Sequence, residues 1–173
     1  VAFLRDWLLF RIAGLVPFAN KAFTDKANRK KPLAAGFCGW GHRLSGHLAL
    51  QPKVTRGEEG ERVLLDEALG HGFAVLARRG RLASHGAVLE RLAQQVGLRV
   101  LEFAEDPDGL VLGDPTGALQ DWFDGAGMDF VLIRPDRYVF DAGRADQFDR
   151  VAARFLAGLS LVHHSNQLQG VAA

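Results

Sequence analysis

The 173-residue chain is 48% hydrophobic with a formal net charge of only +1, enough apolar content for one core of its own and too little charge for a polyelectrolyte partner. Residues 1 to 62 carry 11 Lys+Arg against 5 Asp+Glu, but these cations alternate with Phe3, Leu4, Trp7, Leu8 and Phe10, a packed helix rather than a nucleic-acid arm. Cys38 is the single cysteine, which excludes an intramolecular disulfide, a CxxC redox pair and a thiolate-rich zinc site, and sets a reducing, cytoplasmic location as the expectation.

Phe3, Leu4, Trp7, Leu8, Ile12 and Leu15 recur at helical spacing until Pro17 interrupts them. Arg5, Asp6 and Arg11 break the stretch, so it suits neither a membrane span nor a signal peptide. A short helix is expected over 19–27, and the polar run Asn28 to Pro32 marks the edge of a unit. The pattern starts at Val1 already inside a helix, with no capping residue before it, which suggests a piece of a longer protein. Residues 33–62 hold Gly36, Gly39, Gly41, Gly46, Gly57 and Gly60 without a sustained period, and read as a connecting segment.

From Val63 the pattern becomes denser. A short helix or turn over 63–69 stops at Gly70, and a strand follows over 73–77. Ser84 is placed to cap a helix whose apolar face is Val88, Leu89, Leu92, Ala93 and Val96, stopped by Gly97 in a left-handed conformation. A second strand follows over 98–103. Asp114-Pro115 is expected to start the next helix as N-cap and first residue, with Leu119, Trp122 and Phe123 inward and an end near Gly125. Residues 128–133 and 138–140 form an antiparallel hairpin turned at Pro135-Asp136. The last helix is expected over 145–159, followed by a polar, frayed tail over 161–173.

Strand, helix, strand, helix, strand, hairpin strand, helix is an α/β order: a thioredoxin-like mixed sheet flanked by helices over 63–160, preceded by an N-terminal helical segment over 1–32.

Three segments carry a resemblance: Leu64-Leu65-Asp66-Glu67-Ala68-Leu69-Gly70-His71-Gly72-Phe73-Ala74-Val75-Leu76, Gly117-Ala118-Leu119-Gln120-Asp121-Trp122-Phe123, and Val131-Leu132-Ile133-Arg134-Pro135-Asp136-Arg137-Tyr138-Val139-Phe140. In order and spacing they resemble the C-terminal domain of flavin-dependent aromatic hydroxylases, the phenol hydroxylase group and especially the 3-(3-hydroxyphenyl)propionate hydroxylase type. Leu4 to Leu9 and Leu15 to Phe18 resemble the closing helices of that family's flavin domain. The resemblance implies a parent enzyme that binds FAD, reduces it with NADH or NADPH and hydroxylates a phenolic ring. This chain has no glycine-rich dinucleotide fingerprint, so no cofactor-binding residue is assigned in it.

The residues themselves offer little catalysis. A thioredoxin-type site needs a low-pKa thiolate after the first strand of that fold, and that junction reads Arg78-Arg79-Gly80-Arg81. Cys38 lies well before it and reads as a packed thiol. Cys38, His42 and His47 fit no common zinc spacing. His163 and His164 are adjacent and would diverge on a helix, Asp106, Asp108 and Asp114 do not match a calcium loop, and Gly36 to Gly41 lacks the strand and the lysine of a phosphate loop. No catalytic or metal residue is therefore assigned. Arg134, Asp136 and Tyr138 form the most distinctive polar cluster, either an interface for a neighbouring domain or subunit, or an ion pair that fixes the turn. The expected role is a non-redox accessory domain, whose partners are the preceding flavin domain or a second subunit, with homo-oligomers allowed and nucleic acid and membrane excluded. The alternative is an independent module binding a small ligand or protein through a degenerate thioredoxin cleft or the Trp40 region.

Overall fold

A computed structural model describes residues 32–105, 107 and 111–170, with side chains as far as Ser160. The helices expected over 1–32 and the motifs within Leu4 to Phe18 lie outside these residues, apart from Pro32. The compact unit discussed below runs from Pro32 to Ala173.

Seven strands make one mixed sheet: β1 Lys53–Arg56, β2 Glu61–Leu64, β3 Ala74–Arg78, β4 Arg99–Ala104, β5 Leu112–Gly113, β6 Phe130–Ile133 and β7 Val139–Gly143, in the order β2-β1-β5-β4-β3-β6-β7. β3 pairs with β4 in parallel, β6 antiparallel with β3 and β7 antiparallel with β6. With a helix between β3 and β4 and another after β7, the set β4-β3-β6-β7 is the thioredoxin arrangement. β5 extends it in parallel beside β4, and the β1–β2 hairpin closes that edge.

The interior strand β3 is buried over Ala74, Val75, Leu76 and Ala77, as a strand covered on both faces must be. Alternation divides its side chains between two cores. Ala74 and Leu76 pack with Leu65, Ala68 and Leu69 of helix α1 (Leu65–Leu69) and with Leu119 and Phe123 of α3 (Ala118–Ala126). Val75 and Ala77 pack with Leu92 of α2 (Gly86–Val96) and Phe148, Val151, Ala152 and Phe155 of α4 (Phe148–Gly170).

Four local expectations change. Residues 33–62 are joined to the sheet: they contain β1 and start β2, and their first part straps the β7 edge through Gly39 N–H to Phe140 O, Gly46 N–H to Val139 O and Val139 N–H to His47 O (2.8, 2.9 and 2.8 Å). Strands of four residues are too short for a period to stand out among glycines. Ser84 makes no capping bond. A 3-10 turn over Ala83–His85 precedes α2 instead, its N–H groups accepted by backbone carbonyls, His85 to Leu82 at 2.9 Å and Ala83 to Gly80 at 3.3 Å. Gly97 does end α2 in the left-handed region, with φ 63°.

Asp114 is not the N-cap of α3, which begins after Gly117. Its carboxylate nevertheless accepts the Gln120 N–H of the first turn at 2.9 Å, while its carbonyl accepts the Gly117 N–H. The cap function survives, displaced by one tight turn. The fourth change is in the last helix, which runs to Gly170 rather than ending at Leu159.

Candidate functional site

The carboxyl end of β3, where a redox thioredoxin keeps its thiolate, is a polar cleft of about 400 Å³. Arg78, at the end of the strand, pairs with Asp124 of α3 at 2.6 Å, and its guanidinium lies 5.5 Å from the Phe123 ring centroid and 5.9 Å from that of Phe103. Arg81 Nε sits 3.6 Å from Asp129 Oδ1, whose other oxygen accepts the Ala145 N–H at 3.0 Å. Gly80 N–H donates to Glu102. Arg78, Arg81 and the Gly80 N–H are thus engaged by carboxylates, the Arg79 and Arg81 N–H groups by backbone carbonyls, and no cysteine lines the cleft.

Cys38 lies elsewhere, half-buried on the strap, its Sγ 3.8 Å from Val139 O and 3.6 Å from Arg134 Nη1. Neighbouring Phe37 enters the aromatic group of Phe73, Phe140 and Phe155, with ring centroids 6.2, 4.9 and 5.7 Å away. The strap is therefore pinned by packing as well as by the sheet.

His42 and His47 do not converge with Cys38 on a metal position. His42 Nδ1 accepts the Leu44 N–H at 3.3 Å and its Nε2 faces Ala126 O at 3.2 Å, while Arg43 donates to Gly125 O. Both side chains serve the C-terminal carbonyls of α3, where donors and positive charge are favourable. No group of three metal-ligating side chains occurs among the described residues. Asp106, Asp108 and the side chains of His163 and His164 lie outside them.

The hairpin cluster is turned partly inward. Arg134 forks onto Asp136 at 3.1 and 2.6 Å and donates to Phe37 O at 2.8 Å. Asp136 is exposed and Tyr138 half-buried, with Tyr138 bridging to Leu48 of the strap. Arg134 therefore joins the hairpin turn to the strap.

Sequence reasoning missed the most buried polar group. Asp141 on β7 is fully buried, and its carboxylate accepts the Ser45 hydroxyl (3.0 Å), the Ala142 N–H (3.0 Å) and the Gly41 N–H (3.2 Å), with Arg154 Nη1 at 3.3 Å. Arg154 also donates to Gly39 O at 2.7 Å. The only signal was a carboxylate at the end of an apolar strand, between Phe140 and Ala142. Gly39 and Gly41 are glycines because the Asp141 carboxylate lies against them: a Cβ on Gly41 would sit 2.6 Å from Asp141 Oδ2 and 2.7 Å from Arg154 Nη1, and one on Gly39 would overlap the carboxylate outright. This cradle does not fit a flavin diphosphate, since the protein's own anion already fills it.

Between those glycines Trp40 has φ 53°, in the left-handed region, and is 50% exposed. No helix among the described residues is long and apolar enough to cross a membrane.

A family model described as the HcaD C-terminal domain matches residues 46–158. A 3-(3-hydroxy-phenyl)propionate/3-hydroxycinnamic acid hydroxylase of Mycobacterium sp. strain JLS is 35% identical over 128 residues, covering 68% of this chain and 22% of the relative. Its namesake in Mycolicibacterium smegmatis is 30% identical over 181 residues, covering 93% of this chain and 31% of the relative. This chain thus spans under a third of either protein. Among solved structures, the flavin-dependent monooxygenase PieE in complex with FAD and substrate aligns with TM-score 0.54 at 19% identity, covering 77% of this chain and 22% of that one; this likeness concerns the fold.

Proposed function

The chain belongs to the HcaD C-terminal domain family, and on that premise we propose that it is the non-redox accessory domain of an FAD-dependent, NAD(P)H-using monooxygenase that hydroxylates phenolic substrates, with a structural or assembly role. The observation that carries this reading is the Arg78–Asp124 pair at the end of β3, which stands where a redox member of the fold needs its thiolate. The thioredoxin framework is kept and its chemistry is gone, so what remains to the domain is its surface and its rigidity.

FAD and the nicotinamide belong, in this reading, to the preceding flavin domain, which is also the first partner; a second subunit is the other. Exposed Asp136 is the partner-facing member of the hairpin cluster, with Arg134 holding it and Tyr138 bracing the turn. A free-standing small-ligand module has less support, because Arg78 and Arg81 of the cleft are already engaged by Asp124 and Asp129.

The test is removal of residues 32 onward from the full-length parent protein. The expected result is faster FAD loss, a lower melting temperature or a changed oligomer, with alkylation of Cys38 in the intact protein leaving turnover untouched. A truncated enzyme with full FAD content, stability, assembly and turnover overturns the reading.

A further inference from the structure

We propose that a water molecule is bound as a fixed part of the structure where residues 47–51, the β6–β7 turn and α1 meet, held between the side chains of Gln51 and Arg137. The site is independent of the accessory-domain reading above.

The segment that carries Gln51 runs antiparallel to the end of the hairpin turn. Leu48 bridges Tyr138, the Ala49 N–H donates to Arg137 O and the Val139 N–H donates to His47 O, both at 2.8 Å. Side chains alternate along such a pair. Ala49 and Val139 enter the core that contains Leu65, Ala68 and Leu69 of α1, whereas Leu50 is exposed, so Gln51 turns to the α1 face with Ala49. The next residue, Pro52, accepts the N–H of Leu65, the first residue of α1, at 3.0 Å. Arg137 reaches the same helix at Asp66 and at the Gly70 carbonyl just past its end.

The buried side-chain nitrogen and oxygen atoms without a hydrogen-bond partner among the described residues all belong to these segments: Arg137 Nη1, Gln51 Oε1 and Nε2, His47 Nδ1, and Asp66 Oδ1, which is in the ion pair with Arg137. His47 stands on the other side of Ala49 from Gln51 and is not needed for the site. Buried polar atoms are almost always bonded, to protein or to ordered water. Arg137 cannot turn to find an acceptor, because the guanidinium is planar and its Nε and Nη2 are already held by Asp66 and Gly70. Turning the Gln51 amide over only exchanges two unpartnered atoms.

The chemistry selects water. Gln51 presents a donor and an acceptor and Arg137 Nη1 presents donors, so a ligand that serves them must both give and accept hydrogen bonds, as water does. Chloride or a carboxylate only accepts, and the charge of Arg137 is already met by Asp66.

Water-selected NOE and ROE spectra of the 173-residue chain, labelled with nitrogen-15, test the site directly. The side-chain N–H groups of Gln51 and Arg137 are expected to give cross-peaks with water whose sign differs between the two spectra, the mark of a bound water rather than of proton exchange. Oxygen-17 relaxation dispersion is expected to lose the contribution of a long-lived water on Gln51→Met, which keeps the length of the side chain and removes both amide atoms. Where that variant does not fold, the spectra of the native sequence decide alone. Absent cross-peaks at Gln51, or a dispersion that Gln51→Met leaves unchanged, overturn the proposal. A scalar coupling across a direct Arg137–Gln51 hydrogen bond overturns it as well, by leaving water no role. A chloride titration that moves the Arg137 Nη signals overturns it by making the ligand an anion.

Discussion

Arg137 pairs through Nε with the Asp66 carboxylate and donates through Nη2 to Asp66 O at 3.2 Å and Gly70 O at 2.6 Å. One guanidinium thereby fastens the β6–β7 turn to the last carbonyls of α1, and so links two stretches that are far apart in sequence. Arg137→Ala is expected to destabilise the chain by about 2 kcal/mol, the range for a charge-assisted tie with partly buried acceptors. Arg137→Lys should recover less than half, since an ammonium cannot reproduce the fork. Urea denaturation measures both; a loss below about 0.5 kcal/mol for Arg137→Ala would show that the tie is not structural.

Asp141→Ala leaves Ser45, Gly41 N–H and Arg154 without their common acceptor, and should cost about 3 kcal/mol. Gly41→Ala should be comparably harmful in the native background, where its Cβ meets the carboxylate, and much milder beside Asp141→Ala, where only the movable Arg154 guanidinium remains. The double-mutant cycle reads this coupling. Additive losses would mean that Gly41 is required for some other reason.

Asp114→Ala removes the acceptor of the Gln120 N–H. The expected cost is about 1 kcal/mol, as for an ordinary N-cap, although the residue stands outside the capping position. Amide exchange at Gln120 should accelerate with it. Unchanged protection there would exclude the displaced cap.

Insulin reduction and hydroperoxide turnover by the chain are expected at buffer background, with Cys38→Ser indistinguishable from the parent sequence. The reason is position: Cys38 Sγ lies against Val139 O and Arg134 on the strap, away from the end of β3. A measurable rate abolished by Cys38→Ser would contradict this.

Added zinc should leave the melting temperature unchanged, because both ring nitrogens of His42 face backbone groups. His42→Ala should cost about 1 kcal/mol through the exposed end of α3. A zinc-dependent rise in melting temperature that His42→Ala removes would restore the metal reading.

Much of the fold was legible because its signals are local. Continuous apolar runs marked β3 and β6, Gly97 supplied the left-handed stop of α2, and Pro135-Asp136 turned the hairpin. β1 and β2 were not legible, since four-residue strands flanked by glycine carry almost no periodicity. Ser84 misled because a 3-10 turn satisfied the same N–H groups with carbonyls. The candidate site was less legible still. Arg134 and Asp136 stood out as neighbours, whereas Asp141, Arg154 and Ser45 meet only when the strap folds across β7.

The sequence by itself determined the βαβ and ββα order, the absence of a redox cysteine pair and the resemblance to a hydroxylase domain, because periodicity, turn residues and cysteine count are properties of the linear chain. Only the tertiary structure decided that Gly39 and Gly41 wrap the protein's own carboxylate, that Arg137 holds α1, and that Trp40 stands exposed on a pinned strap. Those facts depend on close approach between segments far apart in the chain, and a distance in space is what a linear pattern does not encode.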